Sequence, residues 1–192
     1  NDGSSDNTDI FMKRYAVSNN IIYLKNKKNS GLSTTRNKGI IVSNASILLF
    51  IDSDIVVNKT FIEANLEYHK QYGDEHIAVI GNISTAPQYI SNSNFGNYVE
   101  SRNLGFRSSR DRNALDYYNL PARYFSGGLC SVRKSDILKA GMYNTEFHFW
   151  GSEDVDMGYR LKKNGVRFIF GDKTYGLHYD DVGIKRFKKK KI

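Results

Sequence analysis

A short apolar run that ends in two carboxylates sets the framework for the rest of the chain. Residues 46–51 are almost continuously apolar and are bounded by polar residues, a pattern typical of a strand buried on both faces, as in a parallel sheet. Asp52 and Asp54 follow at once. Residues i and i+2 of an extended chain point the same way, so we expect both carboxylates to face one site at the carboxyl end of this strand.

Strand-like and helix-like segments alternate along the chain. We expect strands at residues 20–24, 46–51, 76–80 and 166–170, a regular segment at 124–133, and helices at 33–44, 59–72, 135–140 and 153–164. Such alternation predicts an α/β fold with a mostly parallel central sheet flanked by helices. Residues 82–121 are rich in Asn, Ser, Arg and Tyr with weak periodicity, and we expect a partly helical excursion there.

The composition favours one globular domain. The chain has 192 residues, of which 40% are hydrophobic, and this is enough to bury a sizeable core. No run approaches the roughly 18 apolar residues of a membrane span. The single cysteine, Cys130, has no partner for an internal disulfide, so a reducing, cytoplasmic location is the simpler expectation.

The positive charge is concentrated near the carboxyl terminus. The formal net charge is +8, but residues 185–191 contain six basic residues and no acid, which leaves 22 basic against 20 acidic residues elsewhere. This near-neutral body argues against a nucleic-acid-binding surface. We therefore expect a domain at residues 1–184 and a basic tail at 185–192, which is either a solvated tail or a peripheral contact with anionic lipids at the inner face of the membrane.

Two groups of acidic residues are candidates for chemistry, and each has a plain structural alternative. Asp52 and Asp54 suit hard divalent cations such as Mg²⁺ and Mn²⁺, but a solvated polar turn would have the same composition. Glu153 and Asp154 fall in the first turn of an expected helix, shortly after Trp150. A carboxylate there could act as a general base beside an aromatic platform, although acids in a first turn also simply stabilise a helix.

Isolated residues elsewhere carry weaker signals. Gly127 and Gly128 either let a ligand approach the backbone or form a strand bulge. His178 is either a metal ligand or a structural histidine, and Arg36 either meets a diphosphate or forms a surface ion pair.

Taken in order, these segments resemble the GT-A glycosyltransferases, especially the inverting enzymes of family 2. The matching segments are NDGSSDNT at 1–8, GLSTTRNKGI at 31–40, FIDSD at 50–54, FSGG at 125–128 and WGSED at 150–154. Residues 125–170 are also similar to the carboxyl-terminal region of β-1,4-galactosyltransferases and of bacterial chondroitin-type polymerases. The resemblance implies a GT-A sheet from which the family's first strands are missing.

The resemblance also implies an activity and a role for each matching residue. The activity is transfer of a hexose or N-acetylhexosamine from a UDP-sugar to a saccharide hydroxyl, with Mn²⁺ or Mg²⁺. Asp154 would be the catalytic base, and Glu153 would orient the acceptor. Asp54 and His178 would hold the cation. The residues that would contact the substrates are Asp2, Arg36, Asp52, Gly127, Gly128 and Trp150.

Rival functions remain open at this point. A retaining transferase of the same fold would differ in the anomeric configuration of its product, and another transferase of this fold would use a different nucleotide donor. A nucleotide-sugar-binding module of a larger polymerase would bind the donor without turnover. The presence of both Asp54 and Asp154 favours an enzyme, whereas the missing first strands favour the module.

Overall fold

The computed structural model describes residues 1–90, 94, 116–147 and 152–179 of the chain, and these residues form both helices and strands. The helices are α1 (Thr8–Ser18), α2 (Leu32–Val42), α3 (Phe61–Gln71), α4 (Pro87–Ile90), α5 (Lys134–Lys139) and α6 (Glu153–Lys163), with a 3-10 turn at Ala122–Tyr124. The strands are β1 (Ile47–Ile51), β2 (Ile55–Val57), β3 (Ile77–Thr85), β4 (Leu129–Arg133) and β5 (Arg167–His178). The α/β class is therefore confirmed.

The strands form one mixed sheet in the order β1-β4-β3-β5-β2. β3 and β5 are parallel, whereas the pairs β1–β4, β3–β4 and β2–β5 are antiparallel. The described sheet therefore differs from the mostly parallel arrangement that we expected. A continuous apolar run indicates a strand that is buried on both faces, but it does not specify the direction of the neighbouring strand. β1 is also less buried than expected: Leu48 is buried but Ile51 is 43% exposed, since β1 is the last strand at one edge of the described sheet.

One expected strand does not form. Residues 20–24 have no strand partner, and Ile21 and Ile22 are 43% and 66% exposed. An apolar run needs a neighbouring strand to satisfy its backbone, and here the Leu24 carbonyl instead accepts from the amino terminus at 2.8 Å,. β3 and β5 run further than expected, and the larger part of the expected excursion at 82–121 lies outside the described residues.

The sheet is covered on both faces. Alternate residues of β3 point to opposite sides: Ala78 and Ile80 join the larger core with Ile40 of α2 and Met157 of α6, whereas Val79 faces α3,. α2 and α6 therefore lie on the same face of the sheet. Among the described residues, no helix is long and apolar enough to span a membrane.

Gly158 lies where α6 packs closely against the 3-10 turn. A Cβ atom there would overlap the Ala122 carbonyl oxygen and lie 2.8 Å from Cβ of Phe125. We expect Gly158→Ala to lower the free energy of unfolding by about 1–3 kcal/mol, because a packed core resists added volume. Urea denaturation measures this. Gly39→Ala on α2 is the matched control, since its Cβ meets no atom within 4 Å; equal destabilisation of both variants would contradict the packing argument.

Candidate functional site

The two aspartates after β1 lie in a tight turn beside the start of β4. The Asp52 N–H donates to the Gly128 carbonyl at 2.9 Å, and the Asp52 carbonyl accepts from the Ile55 N–H at 3.0 Å. The turn leads from β1 into β2, which pairs with the end of β5. As a result the two carboxylates have different partners: Asp52 contacts an arginine of α2, and Asp54 contacts a histidine of β5.

The arginine of α2 joins the two acidic groups that the sequence singled out. Arg36 Nη1 lies 2.8 Å from Asp154 Oδ1 and 3.6 Å from Glu153 Oε1, and its Nη2 lies 3.3 Å from Asp52 Oδ1. The Arg36 side chain is only 9% exposed. The turn after β1 and the first turn of α6, about a hundred residues apart in the chain, therefore meet at one guanidinium, which we call the Arg36 junction.

The surroundings of Asp154 shift the pKa of its carboxyl group. Burial is the largest influence and raises the pKa of Asp154 to about 6; the Arg36 charge opposes this shift and the Glu153 charge adds to it. Burial also raises the pKa of Asp52 against the pull of Arg36. The Asp154 side chain keeps 22% of its surface exposed. It is thus a partly accessible carboxylate with unusual affinity for a proton, as expected of a general base.

Gly127 and Gly128 leave the space that the Arg36 junction occupies. A Cβ atom on Gly127 would lie 2.6 Å from Arg36 Cζ and 2.7 Å from Asp154 Oδ1, and one on Gly128 would lie 2.8 Å from Asp52 Oδ2. The two glycines precede β4 and do not form a bulge within it. In this structure they accommodate the protein's own charged side chains.

Asp54 and His178 form a second pair next to the Arg36 junction. His178 Nε2 lies 3.3 Å from Asp54 Oδ2, and the side chains are 32% and 43% exposed. They meet because Ile55 is the register partner of His178 in the β2–β5 pair. Over the described part of the chain, three or more His, Cys, Asp or Glu side chains nowhere form a metal-binding group. An accessible carboxylate and imidazole nonetheless fit a divalent cation whose other ligands come from substrate phosphates and water.

Asp2 bonds to the loop before α2 rather than to the Arg36 junction. Its carboxylate accepts from Asn26 Nδ2 at 2.8 Å and from the N–H groups of Ser30 at 2.7 Å and Gly31 at 3.0 Å. Burial acts to raise the pKa of Asp2, but these hydrogen bonds outweigh it and lower the pKa. Asp2 thus ties the first turn of the chain to the loop that begins α2. Trp150 lies outside the described residues.

The sequence interpretation missed two residues that support the Arg36 junction. The Tyr143 ring lies 5.2 Å from Arg36 Cζ, close enough for a cation–π contact,. Asn37 fixes this neighbour through two hydrogen bonds, accepting from the Tyr143 N–H at 2.9 Å and donating to its carbonyl at 2.8 Å. The only available signal was the adjacency of Asn37 to Arg36 on α2.

Comparisons with known families match both halves of the chain. The model described as glycosyl transferase family 2 matches residues 1–136, and the one described as the N-terminal domain of galactosyltransferase matches residues 109–190.

Two curated relatives show how much of a longer protein the chain resembles. Chondroitin synthase of Escherichia coli is 26% identical over 95% of this chain and 30% of its own length. Polypeptide N-acetylgalactosaminyltransferase 3 of Homo sapiens is 25% identical over 83% of this chain and 27% of its own length. The chain therefore spans less than a third of the length of these relatives.

Solved structures share the fold. A mannosyltransferase from Pyrobaculum calidifontis in complex with GDP-Man and Mn²⁺ has a TM-score of 0.68 and 15% identity, and covers 99% of this chain and 49% of its own. GalNAc-T7 with UDP, GalNAc and Mn²⁺ has a TM-score of 0.65 and 14% identity, and covers 93% of this chain and 36% of its own. These likenesses confirm the expected GT-A fold.

Proposed function

Because its residues 1–136 match the family model, this chain belongs to glycosyl transferase family 2, and we propose that it forms the catalytic domain of a metal-dependent, inverting enzyme. Its reaction would move a hexose or N-acetylhexosamine from a UDP-sugar to a saccharide hydroxyl. The observation that carries the proposal is the Arg36 junction, where Asp154 lies 2.8 Å from the guanidinium that also contacts Asp52. The curated names chondroitin synthase and polypeptide N-acetylgalactosaminyltransferase support this class of sugar.

The proposed reaction is a single displacement with Asp154 as the base. Asp154 takes the proton from the acceptor hydroxyl while the oxygen attacks the anomeric carbon of the donor sugar. The bond from that carbon to the diphosphate breaks on the opposite face, UDP leaves with the bonding electrons, and the configuration inverts. A base with a pKa near 6 is deprotonated at neutral pH and yet basic enough to accept the proton as the bond forms,.

The other residues hold the reacting groups in position. Arg36 orients the Asp154 carboxylate, in the way that a third group orients a catalytic base, and Glu153 would orient the acceptor sugar. Asp54 and His178 would hold a divalent cation, either Mn²⁺ or Mg²⁺, and that ion would offset negative charge on the leaving diphosphate. Asp2, Asp52, the two glycines and Trp150 are proposed for the substrates, with Asp2 at the uridine.

The pH dependence of the reaction follows from the environment of Asp154. The base works only when ionised, so kcat/KM is expected to fall as the pH drops through about 6, by about tenfold per pH unit on the acidic limb. Burial is the largest cause of this raised pKa; the Arg36 charge lowers the pKa, whereas the Glu153 and Asp52 charges raise it. Initial rates across a pH series in constant ionic strength measure it. An acidic limb at the ordinary aspartate pKa of about 3.9 would contradict the assignment.

A donor screen tests the proposed function directly. The full-length protein is incubated with a panel of UDP-sugars and Mn²⁺, and UDP release is followed with and without saccharide acceptors. We expect acceptor-stimulated release with one donor and a product of inverted anomeric configuration by NMR. A retained configuration would reject the single displacement. UDP binding without release from any donor would favour the binding module instead.

A further inference from the structure

A cavity bordered by β5 plays no part in the proposed reaction. It has a volume of about 430 Å³, within the usual range of about 300–1,000 Å³ for ligand pockets. It lies between α3, β5 and residues 117–118. Five aromatic side chains line it: Tyr68, Tyr72, Tyr117, Tyr118 and Phe170. We call this cavity the tyrosine cleft.

An irregularity in β5 shapes the tyrosine cleft. Gly81 and Asn82 of β3 are consecutive, yet their partners on β5 are Gly171 and Tyr175, so three residues of β5 have no counterpart. A hydrogen bond of 2.8 Å from Thr174 Oγ1 to the Gly171 carbonyl closes this bulge. The bulge places Asp172 against α3, where its carboxylate accepts from the Tyr68 hydroxyl. Bulges often redirect side chains in this way beside functional sites.

The lining chemistry suits a neutral saccharide. The C–H face of a pyranose is apolar and packs on tyrosine rings, whereas its hydroxyl groups need polar partners at the ring edge, which Asp172 and Gln71 supply,. Glu67 and Lys173 also line the cleft and pair with each other at 4.0 Å. Asp172 therefore gives this lining a net negative charge, which disfavours a polyanionic chain.

The tyrosine cleft borders the same strand that carries His178 of the proposed cation site. Gly171, at the cleft, is paired with Gly81, and His178 is paired with Thr85. Four steps along β3 therefore separate the level of Gly171 from the level of His178, a distance of about 13 Å along the strands at a rise of about 3.3 Å per residue. An oligosaccharide of a few sugar units spans such a distance.

We propose that the tyrosine cleft binds a neutral oligosaccharide acceptor at sugar units remote from the reacting end. This assignment rests on the proposed function, because that function makes a saccharide the acceptor. Tyr118 is the most exposed ring of the cleft, at 69%, and packs on the ligand from the solvent side. The cleft then favours long acceptors over short ones by adding contacts away from the bond that forms.

The test is a binding titration of the full chain by NMR without any donor, using chitotetraose as the probe. We expect saturable shifts at the amides of Tyr118, Asp172 and Lys173. Tyr118→Ala should weaken binding by about fivefold to tenfold, the amount expected from one lost aromatic contact. The fold should survive, since it is the Tyr118 backbone N–H that bonds to Asp116. Tyr159→Ala is the matched control, because Tyr159 is a 63% exposed tyrosine on α6 and its loss should leave binding unchanged.

Four outcomes would overturn the proposal. Three of them are an absence of saturable shifts, shifts confined to residues around Asp154, and equal weakening by Tyr118→Ala and Tyr159→Ala. A hyaluronan tetrasaccharide of the same length should bind more weakly than chitotetraose, and stronger binding of this anionic probe would also count against the cleft. The titration needs neither donor nor turnover, so its failure leaves the UDP-release result standing, and failure of UDP release leaves the titration interpretable.

Discussion

Asp154→Asn is expected to lower kcat by about 10²–10⁴-fold, the usual contribution of a positioned general base. Asparagine has nearly the shape of aspartate, and its amide oxygen can still accept from Arg36 Nη1, which lies 2.8 Å from the carboxylate. It cannot take a proton from an acceptor hydroxyl. Steady-state kinetics with saturating donor measure the loss, and calorimetry with UDP should show a donor-side affinity close to that of the parent protein.

Asp156→Asn is the matched control for this experiment. Asp156 lies two residues further along α6 and pairs with Arg160 at 2.6 Å, so it reports what the loss of an α6 carboxylate does without touching the Arg36 junction. We expect its kcat to stay near that of the parent. If Asp154→Asn turned over as fast as Asp156→Asn, another group would have to be the base.

Asp54→Ala is expected to lower Mn²⁺-supported turnover by about 10²–10³-fold, because several kcal/mol of charge stabilisation at the diphosphate would be lost. Asp54 and His178 lie 3.3 Å apart with side chains that are 43% and 32% exposed, so Asp54→Ala would remove one of the two proposed protein ligands of the cation. Electron paramagnetic resonance of Mn²⁺ in the presence of UDP gives a second readout that does not depend on turnover. The variant should leave more Mn²⁺ free at a given concentration.

The control for Asp54→Ala is Asp74→Ala, an exposed acid between α3 and β3. Removing it changes the net charge equally but leaves the end of β1 intact. The parent protein should lose activity with a chelator and regain it with added Mn²⁺ or Mg²⁺. Full activity of Asp54→Ala in the presence of chelator would remove the cation from the reaction.

Local patterns predicted α2, α3, α5, α6 and the main strands because each pattern depends on neighbours in the sequence. They did not predict α1 (Thr8–Ser18) or β2 (Ile55–Val57). The helices expected at 33–44, 59–72, 135–140 and 153–164 all form within about two residues of their expected ends,. The strand expected at residues 20–24 was wrong, since an apolar run becomes a strand only when another strand lies beside it. The direction of each strand pair also depends on the chain's path, which periodicity does not record.

The sequence likewise predicted some features of the candidate site and missed others. The sequence pattern selected Asp52, Asp54, Glu153 and Asp154, and the resemblance then assigned their roles. The structure brings these acids to neighbouring positions. The ion pairs of Arg36 reach across 118 residues of sequence to Asp154, and no spacing rule connects residues that far apart. The support from Tyr143 and Asn37 was missed for the same reason. The role of Trp150 and of the basic tail at 185–192 stays a prediction, since both lie outside the described residues.

The ion pair between Arg36 and Asp154 joins the two segments of the chain that match different family models. Arg36 belongs to the segment that matches the first family model, at 1–136, whereas Asp154 lies only in the segment that matches the second, at 109–190. The ionisation of Asp154 in the second segment thus depends on the charge of Arg36 in the first segment. A chimera that exchanged either segment with a relative would keep a carboxylate at position 154 ionised only if a cation remained at position 36, since a desolvated acid without its counter-charge becomes protonated.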